Sequence, residues 1–397
     1  MAAAGSLIPI RLDRRELAGG FGDAGLFIPI AVALITLNGL NATAVFAGAG
    51  LVYVITALYF RVPVPVQPLK AFGAAAIALG LGAEVIAAGA LLMGAAMLVL
   101  ASTGLADWLA RSFPLVLIRG IQASVALLLA KAAVELAEKG NWEGLPAISP
   151  AASLAFAVVA CAFLFWSRRT ASLPGTLIVL GGGAVVGLLV GGLPDVGVGP
   201  EAVALSVPDQ GAFATALTAL VIAQFPLTFG NSVVATADAE RSYFGAAAAR
   251  VRPGRLATSI GAANMVAGCT AGIPVCHGAG GVTAHFQLGA RTAGATLAVG
   301  TIFIALGLTF GASLPMALQI LAPGALAGML LFVAIEHGLL AAQLERVDDR
   351  VLAAGVGAMT LLSGNLAIGV GAGAAVLLGR ATWRRLPEPR RALRGTE

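Results

Sequence analysis

The chain alternates apolar stretches with short polar connections along its whole length. The stretches lack the every-second-residue alternation of membrane β-barrel strands, and most approach the length of a bilayer-spanning helix. The pattern therefore predicts membrane-spanning α-helices. The stretches cover residues 19–37, 42–59, 85–102, 113–136, 151–166 and 173–190, and then 212–237, 256–272, 292–308, 314–344, 351–362 and 366–378.

Residues 191–210 separate these two sets of stretches. The segment contains three prolines and three acidic side chains but no basic residue. This composition is typical of an exposed loop. We therefore predict a long extracytoplasmic connection between two halves of similar size.

Two short segments interrupt the apolar pattern. Residues 62–68 include three prolines, which lack amide donors and disfavour helix in the residues before them, so the backbone is predicted to be extended. A short helix at 69–81 follows, with Pro68 suited to its first position. Residues 272–278 and the short stretch 279–288 repeat this arrangement. Extended backbone at membrane depth is stable only when it is buried or lines a cavity, so both segments are candidate site walls.

Short motifs recur in the two halves of the chain. Phe21-Gly-Asp23 returns as Phe229-Gly-Asn231, and Pro65-Val-Gln67 returns as Pro274-Val-Cys276, with offsets of 208 and 209 residues. The nearly equal offsets indicate an internal duplication. Counting each short helix gives about seven spans per half, and an odd number inverts the second half in the membrane. The predicted fold is an all-α polytopic membrane protein with about fourteen spans in a seven-plus-seven inverted repeat.

Composition and charge support a membrane protein and exclude several functional classes. Hydrophobic residues make up 59% of the chain and charged residues 11%, against about 25% charged residues in soluble domains. This excludes a soluble enzyme. The net charge of +5 comes from arginines, which bilayer insertion favours in cytoplasmic loops, so a nucleic-acid partner is not expected. The three cysteines lie in or beside apolar stretches and form no secreted disulfide framework.

The arginines also predict the topology. With the N-terminus inside, nearly all basic residues of the connections fall on the cytoplasmic side or in the tail, and the clearest exception is Lys139 in an outer loop. The positive-inside rule then requires an even number of spans and two cytoplasmic termini. We expect a multi-pass protein of the cell inner (plasma) membrane.

Two broken helices whose N-termini oppose each other present unsatisfied amides and positive dipole ends to the membrane interior, which is an anion site. Glycines after the second break would let an oxyanion approach the backbone closely. No catalytic residue, metal site or cofactor is predicted. The candidate substrate-binding residues are Gly22, Asp23, Gln67, Pro68, Leu69, Lys70, Asn231, Ser232, Cys276, His277 and Gly278.

At these residues the sequence resembles the molybdate transporter family, a branch related to the sulfate permeases. The motifs that carry the resemblance are ELAGGFGDAG at 16–25, VPVQPLKA at 64–71, FGNS at 229–232, TADAER at 236–241, PVCHGAGG at 274–281 and GAR at 289–291. The resemblance covers nearly the whole chain. It implies a seven-plus-seven inverted repeat, a core domain with the site, a gate domain, and uptake of a tetrahedral dianion by alternating access.

The spans divide into these domains as follows. The core takes residues 19–104 and 212–310, and the gate takes 105–192 and 311–379. A cytoplasmic N-terminus (1–18), a linker (193–211) and a cytoplasmic tail (380–397) complete the chain. Only a short arginine-rich tail follows the last span, so we expect no STAS regulatory domain, which favours molybdate over sulfate. The expected partners are the oxyanion, a proton as co-substrate, the lipid bilayer and a second copy of the chain in a homodimer.

The charge of Asp23 suggests how transport is coupled. At about 6 Å and an effective dielectric near 20, an ionised Asp23 would repel a dianion by roughly 5 kcal/mol, and Lys70 would attract it by a similar amount. A proton taken up by Asp23 as the anion arrives would remove the repulsion. We therefore predict proton symport with Asp23 as the coupling residue, with Glu336 or His337 as the alternatives.

Other interpretations remain open at this stage. Sulfate is the close alternative substrate and a nucleobase the remote one, and an anion channel would use the same site without alternating access. An intramembrane enzyme with Cys276 as nucleophile and His277 as base lacks a separate orienting carboxylate. Metal binding is not expected because the cysteines and histidines near this segment straddle a proline break.

Overall fold

The computed structural model describes residues 9–104, 114–139, 148–167, 175–193 and 195–385, and it is almost entirely helical. Seven helical stretches among these residues are long and apolar enough to cross a membrane, and three further apolar helices are shorter, Leu26–Thr36, Gly175–Gly191 and Leu366–Thr382. The first half contains α1 (Arg14–Gly20), a 3-10 turn (Phe21–Asp23), α2 (Ala24–Thr36), α3 (Ala42–Phe60), β1 (Gln67–Pro68), α4 (Lys70–Ala78), α5 (Ala83–Thr103), α6 (Leu115–Lys139), α7 (Pro150–Ser167) and α8 (Gly175–Gly191).

The second half repeats this order after a connection without helix. It begins with one long helix in which α9 (Gln210–Ala216), α10 (Ile222–Leu227) and α11 (Thr236–Phe244) are joined by π-helical segments Leu217–Val221 and Thr228–Ala235. A 3-10 turn (Gly245–Arg250) follows. The remaining elements are α12 (Pro253–Cys269), β2 (Val275–Cys276), α13 (Ala279–Gln287), α14 (Gly294–Phe310), a 3-10 turn (Gly311–Ser313), α15 (Leu314–Ala317), a 3-10 turn (Leu318–Ile320), α16 (Pro323–Ala342), α17 (Val347–Ser363) and α18 (Leu366–Arg385).

The helix packing repeats between the halves, which confirms the inverted repeat. Helix α3 packs along α14, and their counterparts in the other half, α12 and α5, pack along each other in the same way. Both pairs approach through glycines, because a Cβ on Gly50 would lie 2.6 Å from the carbonyl oxygen of Gly300, and one on Gly94 would lie 3.0 Å from that of Gly261. Helices α6 and α16 pack on each other, and each also packs on a helix of the other half, α17 and α7 respectively.

An aromatic cluster packs between α2, α3 and α14. Phe27 of α2 lies between Phe46 of α3 and Phe303 of α14, with ring centroids 6.1 and 4.8 Å away. Tyr53 of α3 adds an edge contact to Phe303 at 5.9 Å. All four rings are at most 3% exposed. The cluster fixes α2 against the α3–α14 pair behind the two short strands.

Polar caps fix the ends of several helices. Asp13 Oδ1 accepts the N–H groups of Glu16 and Arg15 at 3.0 and 2.8 Å, which holds the pKa of this carboxyl below its usual value. Glu16 is buried and accepts the N–H groups of Arg291 and Thr292, just before α14. The motif around Glu16 therefore ties the N-terminal segment to α14.

The connection between the halves is pinned to the helix bundle. Glu201 Oε2 accepts the Ala42 N–H at 2.6 Å at the start of α3, and the Glu201 N–H donates to Thr43 Oγ1 at 2.8 Å. A carboxylate at a helix N-terminus also interacts favourably with the helix dipole. One of the acidic side chains of this connection, Glu201, thus stabilises the start of α3.

Some predicted boundaries were wrong. The last two apolar stretches are longer helices, because α17 begins with charged residues before its apolar part and α18 continues beyond it, and Asp349 pairs with Arg380 across them at 3.2 Å. The stretch 314–344 is divided by a 3-10 turn that ends before Pro323. Pro68 lies in β1 rather than at the first helical position, and Leu69 is the N-cap of α4.

Candidate functional site

The two extended segments cross at the centre of the molecule as an antiparallel pair of two-residue strands. Gln67 is opposite Cys276 and Pro68 is opposite Val275. The Leu69 N–H donates to the Pro274 carbonyl at 3.0 Å. The crossing is buried, because Gln67, Leu69, Val275 and Cys276 are each at most 3% exposed. The two half-helices α4 and α13 therefore start from one shared crossing.

Side chains from neighbouring helices satisfy the outer edges of this crossing. Asn264 of α12 accepts the Val275 N–H at 2.9 Å and donates to the Val275 carbonyl at 2.8 Å. Its side-chain amide thus makes the two hydrogen bonds that a neighbouring strand would make with Val275. Tyr53 of α3 donates to the Val66 carbonyl at 2.9 Å. Buried backbone groups left unpaired would be costly, so these two residues hold the short strands in place. Neither was recognised from the sequence.

Both half-helices begin without a side-chain cap from their own N-cap residue, which is Leu69 for α4 and Gly278 for α13. In α4, the Phe72 N–H donates to Gln224 Oε1 of α10 at 2.9 Å, and Gln224 donates in turn to Thr228 at 2.7 Å. The earlier amides of each first turn have no acceptor within their helix. The arrangement therefore presents two helix N-termini, with their positive dipole ends, at one buried place.

Gln67, Asn231 and Gly278 meet at the N-terminus of α13. A Cβ on Gly278 would collide with Gln67 Oε1 and lie 3.3 Å from Asn231 Nδ2. Ser232 follows Asn231 and is 1% exposed, and its hydroxyl has no hydrogen-bond partner within the described part of the chain. We use the name half-helix site for Gln67, Lys70, Asn231, Ser232 and Gly278. These groups offer amide, hydroxyl, backbone and ammonium donors.

A π-helical segment presents Asn231 and Ser232, where the sequence had suggested a kink. Thr228–Ala235 is wound with wider turns inside a helix that continues to Phe244. Thr236 Oγ1 contacts the carbonyl oxygens of both Asn231, at 3.0 Å, and His277, at 2.5 Å. The hydroxyl therefore ties this segment to the start of α13. Such π-bulges are frequent at functional sites.

The ring of His277 is already engaged by protein groups. Its Nδ1 lies 2.8 Å from the Pro65 carbonyl and its Nε2 lies 2.9 Å from Ser259 Oγ, and the side chain is fully buried. The ring thus fixes the extended segment against α12. Of this candidate residue, only the backbone remains available to a ligand. The Cys276 thiol lies 3.9 Å from the Pro68 carbonyl, within the crossing itself.

The structure does not bring the Gly22–Asp23 turn to the half-helix N-termini, where the sequence analysis had placed it. A Cβ on Gly22 would lie 2.5 Å from Leu288 and 3.5 Å from the Ala284 carbonyl, at the other end of α13. At 1.5 Å per residue, Ala284 is about 9 Å along the helix from Gly278. The side chain of Asp23 is outside the described part of the structure.

Charged groups occupy both ends of α4. Lys70 is its first residue and is half-buried. At the other end, Lys131 of α6 donates to the Ala78 carbonyl at 2.8 Å and forms an i,i+4 ion pair with Glu135 at 3.1 Å. A cation at a helix C-terminus stabilises the dipole, so Lys131 has a structural role. Across the described residues, no three His, Cys, Asp or Glu side chains are grouped to hold a metal ion.

Comparisons with known proteins agree with this architecture. The family model described as "Molybdate transporter of MFS superfamily" matches residues 15–129 and 216–336, more than half of the chain. Molybdate transporter 2 of Arabidopsis thaliana is 27% identical over 405 residues, covering 91% of this chain and 86% of that protein. Molybdate transporter 1 of the same plant is 28% identical, covering 90% and 86%.

Solved structures show the same fold. The transmembrane domain of a cyanobacterial bicarbonate transporter, BicA, superposes with a TM-score of 0.67 at 17% identity, covering 91% of this chain and 98% of that chain. SLC26A9 superposes with a TM-score of 0.64 at 14% identity, covering 93% of this chain and 65% of that chain. Together with the residues of the crossing and the matched family model, these comparisons show that the chain belongs to the molybdate transporter family.

Proposed function

We propose that the protein is a secondary active transporter that imports a tetrahedral oxyanion, with molybdate as the substrate. The observation that carries this proposal is the crossing from which two uncapped half-helices start at one buried place. Opposed helix N-termini attract an anion without requiring a metal or cofactor. The names of the relatives, molybdate transporters in two of the comparisons, favour molybdate over sulfate.

Lys70 supplies the full positive charge of the half-helix site. It opens α4 beside the crossing, where its ammonium adds to the dipole of the same helix terminus. Gln67, Asn231 and Ser232 contribute neutral donors from the facing elements. Neutral donors on several sides suit a tetrahedral ion better than a planar one. The candidate residues Pro68, Leu69 and Cys276 contribute backbone at the crossing.

We propose that transport proceeds by alternating access, with the core moving against the gate. The packing supports this division, because α3 with α14 and α5 with α12 form one group, and α6, α7, α16 and α17 form another. Helix α4 packs on α6 between the groups, and Lys131 bonds to Ala78 there. This interface is where the two domains would slide.

The remaining parts of the proposal concern energy coupling and setting. Uptake of a dianion against an inside-negative potential requires a driving ion, and we propose a proton. We also propose that both termini face the cytoplasm, that the membrane is the plasma membrane, and that two copies form a homodimer. The enrichment of arginine in the connections predicted to be cytoplasmic supports the orientation.

Uptake by the purified full-length protein in proteoliposomes tests the function. We expect saturable uptake of labelled molybdate that exceeds equilibrium when the outside is acidic, and stronger competition by unlabelled molybdate than by sulfate. Protein-free liposomes are the control. Flux that never exceeds equilibrium would identify an anion channel, and preferential competition by sulfate would identify a sulfate transporter.

A further inference from the structure

Glu240 is a buried carboxylate that the proposed anion site does not use. It lies in α11, is 0% exposed, and neither of its oxygens has a hydrogen-bond partner within the described residues. An isolated carboxylate in such a place is very costly, whereas a protonated or charge-compensated one is tolerated. The burial of Glu240 therefore requires a proton on the carboxylate or a compensating positive charge beside it.

The contacts of α11 show where Glu240 is directed. Thr236, one turn before it, contacts the His277 carbonyl, and Tyr243, one turn after it, donates to Thr283 at 3.3 Å and stacks on Phe286. Residues one turn apart share a helix face, so Glu240 faces α13 as well. Ala237, which precedes Glu240 by three residues, belongs to the same buried hydrophobic cluster as Val62 and Val64. Glu240 thus lies at the junction of α11, α13 and the extended segment 62–66.

His285 of α13 occupies the same junction. It is 0% exposed, and neither ring nitrogen makes a hydrogen bond of ordinary geometry within the described residues, although the ring lies near the Pro63 carbonyl. Pro63 stands between Val62 and Val64, which share a buried hydrophobic cluster with Ala237 of α11. The carboxylate and the imidazole are therefore both buried where α11, α13 and the segment 62–66 meet.

The other ionisable groups around this junction are exposed or engaged elsewhere. On α11 itself, Asp238 and Arg241 are exposed. From the neighbouring elements, Arg250 donates to the Tyr59 carbonyl, Arg291 lies over the Phe286 ring, and His277 is held by Pro65 and Ser259. Arg61 is half-buried at the end of α3. Among these described groups, none forms an ion pair with Glu240.

We propose that Glu240 and His285 form a proton-binding site, separate from the half-helix site, that carries the co-transported proton. Electroneutrality sets the proton count of this buried pair. A protonated Glu240 beside a neutral imidazole and an ionised Glu240 beside an imidazolium both have zero net charge and contain the same number of protons. Loss of that proton would leave a net negative charge without water, so release requires the junction to open. The proposal rests on the proposed transport function.

The same two elements connect this proton site to the anion site. His285 lies near the end of the nine-residue helix whose first turn faces the anion. Thr236, one turn from Glu240, joins Asn231 to the start of α13. A change in how α11 packs on α13 therefore alters both sites together. Binding of the proton would keep this junction closed while the loaded core moves.

Transport assays with matched variants test the site. Glu240→Gln keeps the side-chain size but cannot exchange a proton, and Asp238→Asn removes an exposed carboxylate from the same helix as the control. We expect Glu240→Gln to bind molybdate within about threefold of the wild type and to lose at least tenfold of its proton-driven accumulation. His285→Gln should weaken the pH response, and Asp238→Asn should behave as the wild type.

A second measurement is independent of substrate. Unfolding of the purified protein at pH 8 exposes Glu240 and His285 to water, where their pKa values are about 4.3 and 6.5, so the pair gives up its proton. The wild type should release about one more proton on unfolding than Glu240→Gln. Equal release would overturn the proposal even if molybdate is not the substrate.

Three transport results would also overturn it. The first is a Glu240→Gln variant with the wild-type response to pH. The second is loss of that response in Asp23→Asn alone, which would assign coupling to Asp23. The third is accumulation driven by a sodium gradient without a pH gradient. By contrast, a wild type without molybdate uptake would refute the proposed function and leave the unfolding measurement to decide the proton site.

Discussion

At the scale of single residues, the site depends on a few side chains whose partners lie far away in sequence. Gln224 caps the first turn of a half-helix that starts 154 positions before it, at Lys70, and Asn264 acts as a strand for Val275. Lys70 could be predicted as a site residue from the sequence, because it is a charged residue beside a proline break in an otherwise apolar segment. The sequence did not predict Gln224, Tyr53 or Asn264, because amides and phenols inside spans acquire a role only through tertiary contacts.

Replacement of Lys70 by alanine tests its charge. A unit charge and a dianion about 6 Å apart attract by roughly 5 kcal/mol before desolvation is subtracted. We expect Lys70→Ala to weaken molybdate binding by at least tenfold, measured at equilibrium with purified protein. Lys131→Ala, at the opposite end of α4, is the matched control and should keep the wild-type affinity. Unchanged binding in Lys70→Ala would mean that the amides alone hold the anion.

Asp23→Asn tests the residue predicted to take up the proton. The structure places the neighbouring Gly22 beside Leu288, at the far end of α13 from Gly278. If Asp23 is nevertheless the coupling residue, the variant should bind molybdate with little pH dependence and fail to accumulate it. Accumulation with an unchanged pH response would exclude Asp23.

Asn264→Ala tests the support of the crossing. The change removes hydrogen bonds to both backbone groups of Val275, and each buried group left unpaired costs about 1–3 kcal/mol. We expect a lower midpoint in thermal unfolding together with weaker molybdate binding. Asn365→Ala removes the side chain that accepts the Ala367 and Ile368 N–H groups at the start of α18, so it should lower the unfolding midpoint and leave molybdate binding unchanged.

At the scale of elements, the two half-helices could be predicted from the sequence, but the π-helical segment that packs beside them could not. Closely spaced prolines exclude a helix whatever the tertiary structure, and the alanine-rich stretch after them forms one, so α4 and α13 were expected. The π-helical segment at Thr228–Ala235 has no comparable local cause. Its carbonyls are satisfied partly by Thr236, which also contacts His277. The repeat placed Gly22 opposite Gly230 in sequence, but sequence equivalence does not give depth along α13.

The first turn of α13 provides a sharp test at this scale. A Cβ on Gly278 would collide with Gln67, whereas one on Gly355 of α17 would meet nothing within 4 Å. Gly278→Ala must displace Gln67 from the half-helix site, so we expect at least a tenfold loss of molybdate affinity in equilibrium binding. Gly355→Ala adds the same methyl group to a different helix, outside the half-helix site, and should bind normally. Equal affinities would show that Gln67 is not part of the site.

At the scale of the whole molecule, the inverted repeat places two similar helix groups beside each other. The strongest packing lies within each group, and few elements connect them. Alternating access needs one rigid group to move against another, and the interface of α4 with α6 is a natural sliding surface. Restraint across this interface should therefore stop transport without altering the anion site.

A cysteine cross-link between the groups tests this movement. Lys131 reaches the Ala78 carbonyl at 2.8 Å, so Ala78→Cys with Lys131→Cys joins α4 to α6 through a short bifunctional reagent, in a background where Cys161, Cys269 and Cys276 are replaced. We expect the cross-link to abolish molybdate uptake in proteoliposomes while equilibrium binding persists. Asp349→Cys with Arg380→Cys joins α17 to α18 within one group, where the native pair is 3.2 Å apart, and should leave uptake intact. Because binding needs only the half-helix site while uptake needs the site to reach both sides, loss of uptake alone identifies movement between the groups. Full uptake by the cross-linked α4–α6 variant would rule out sliding at this interface.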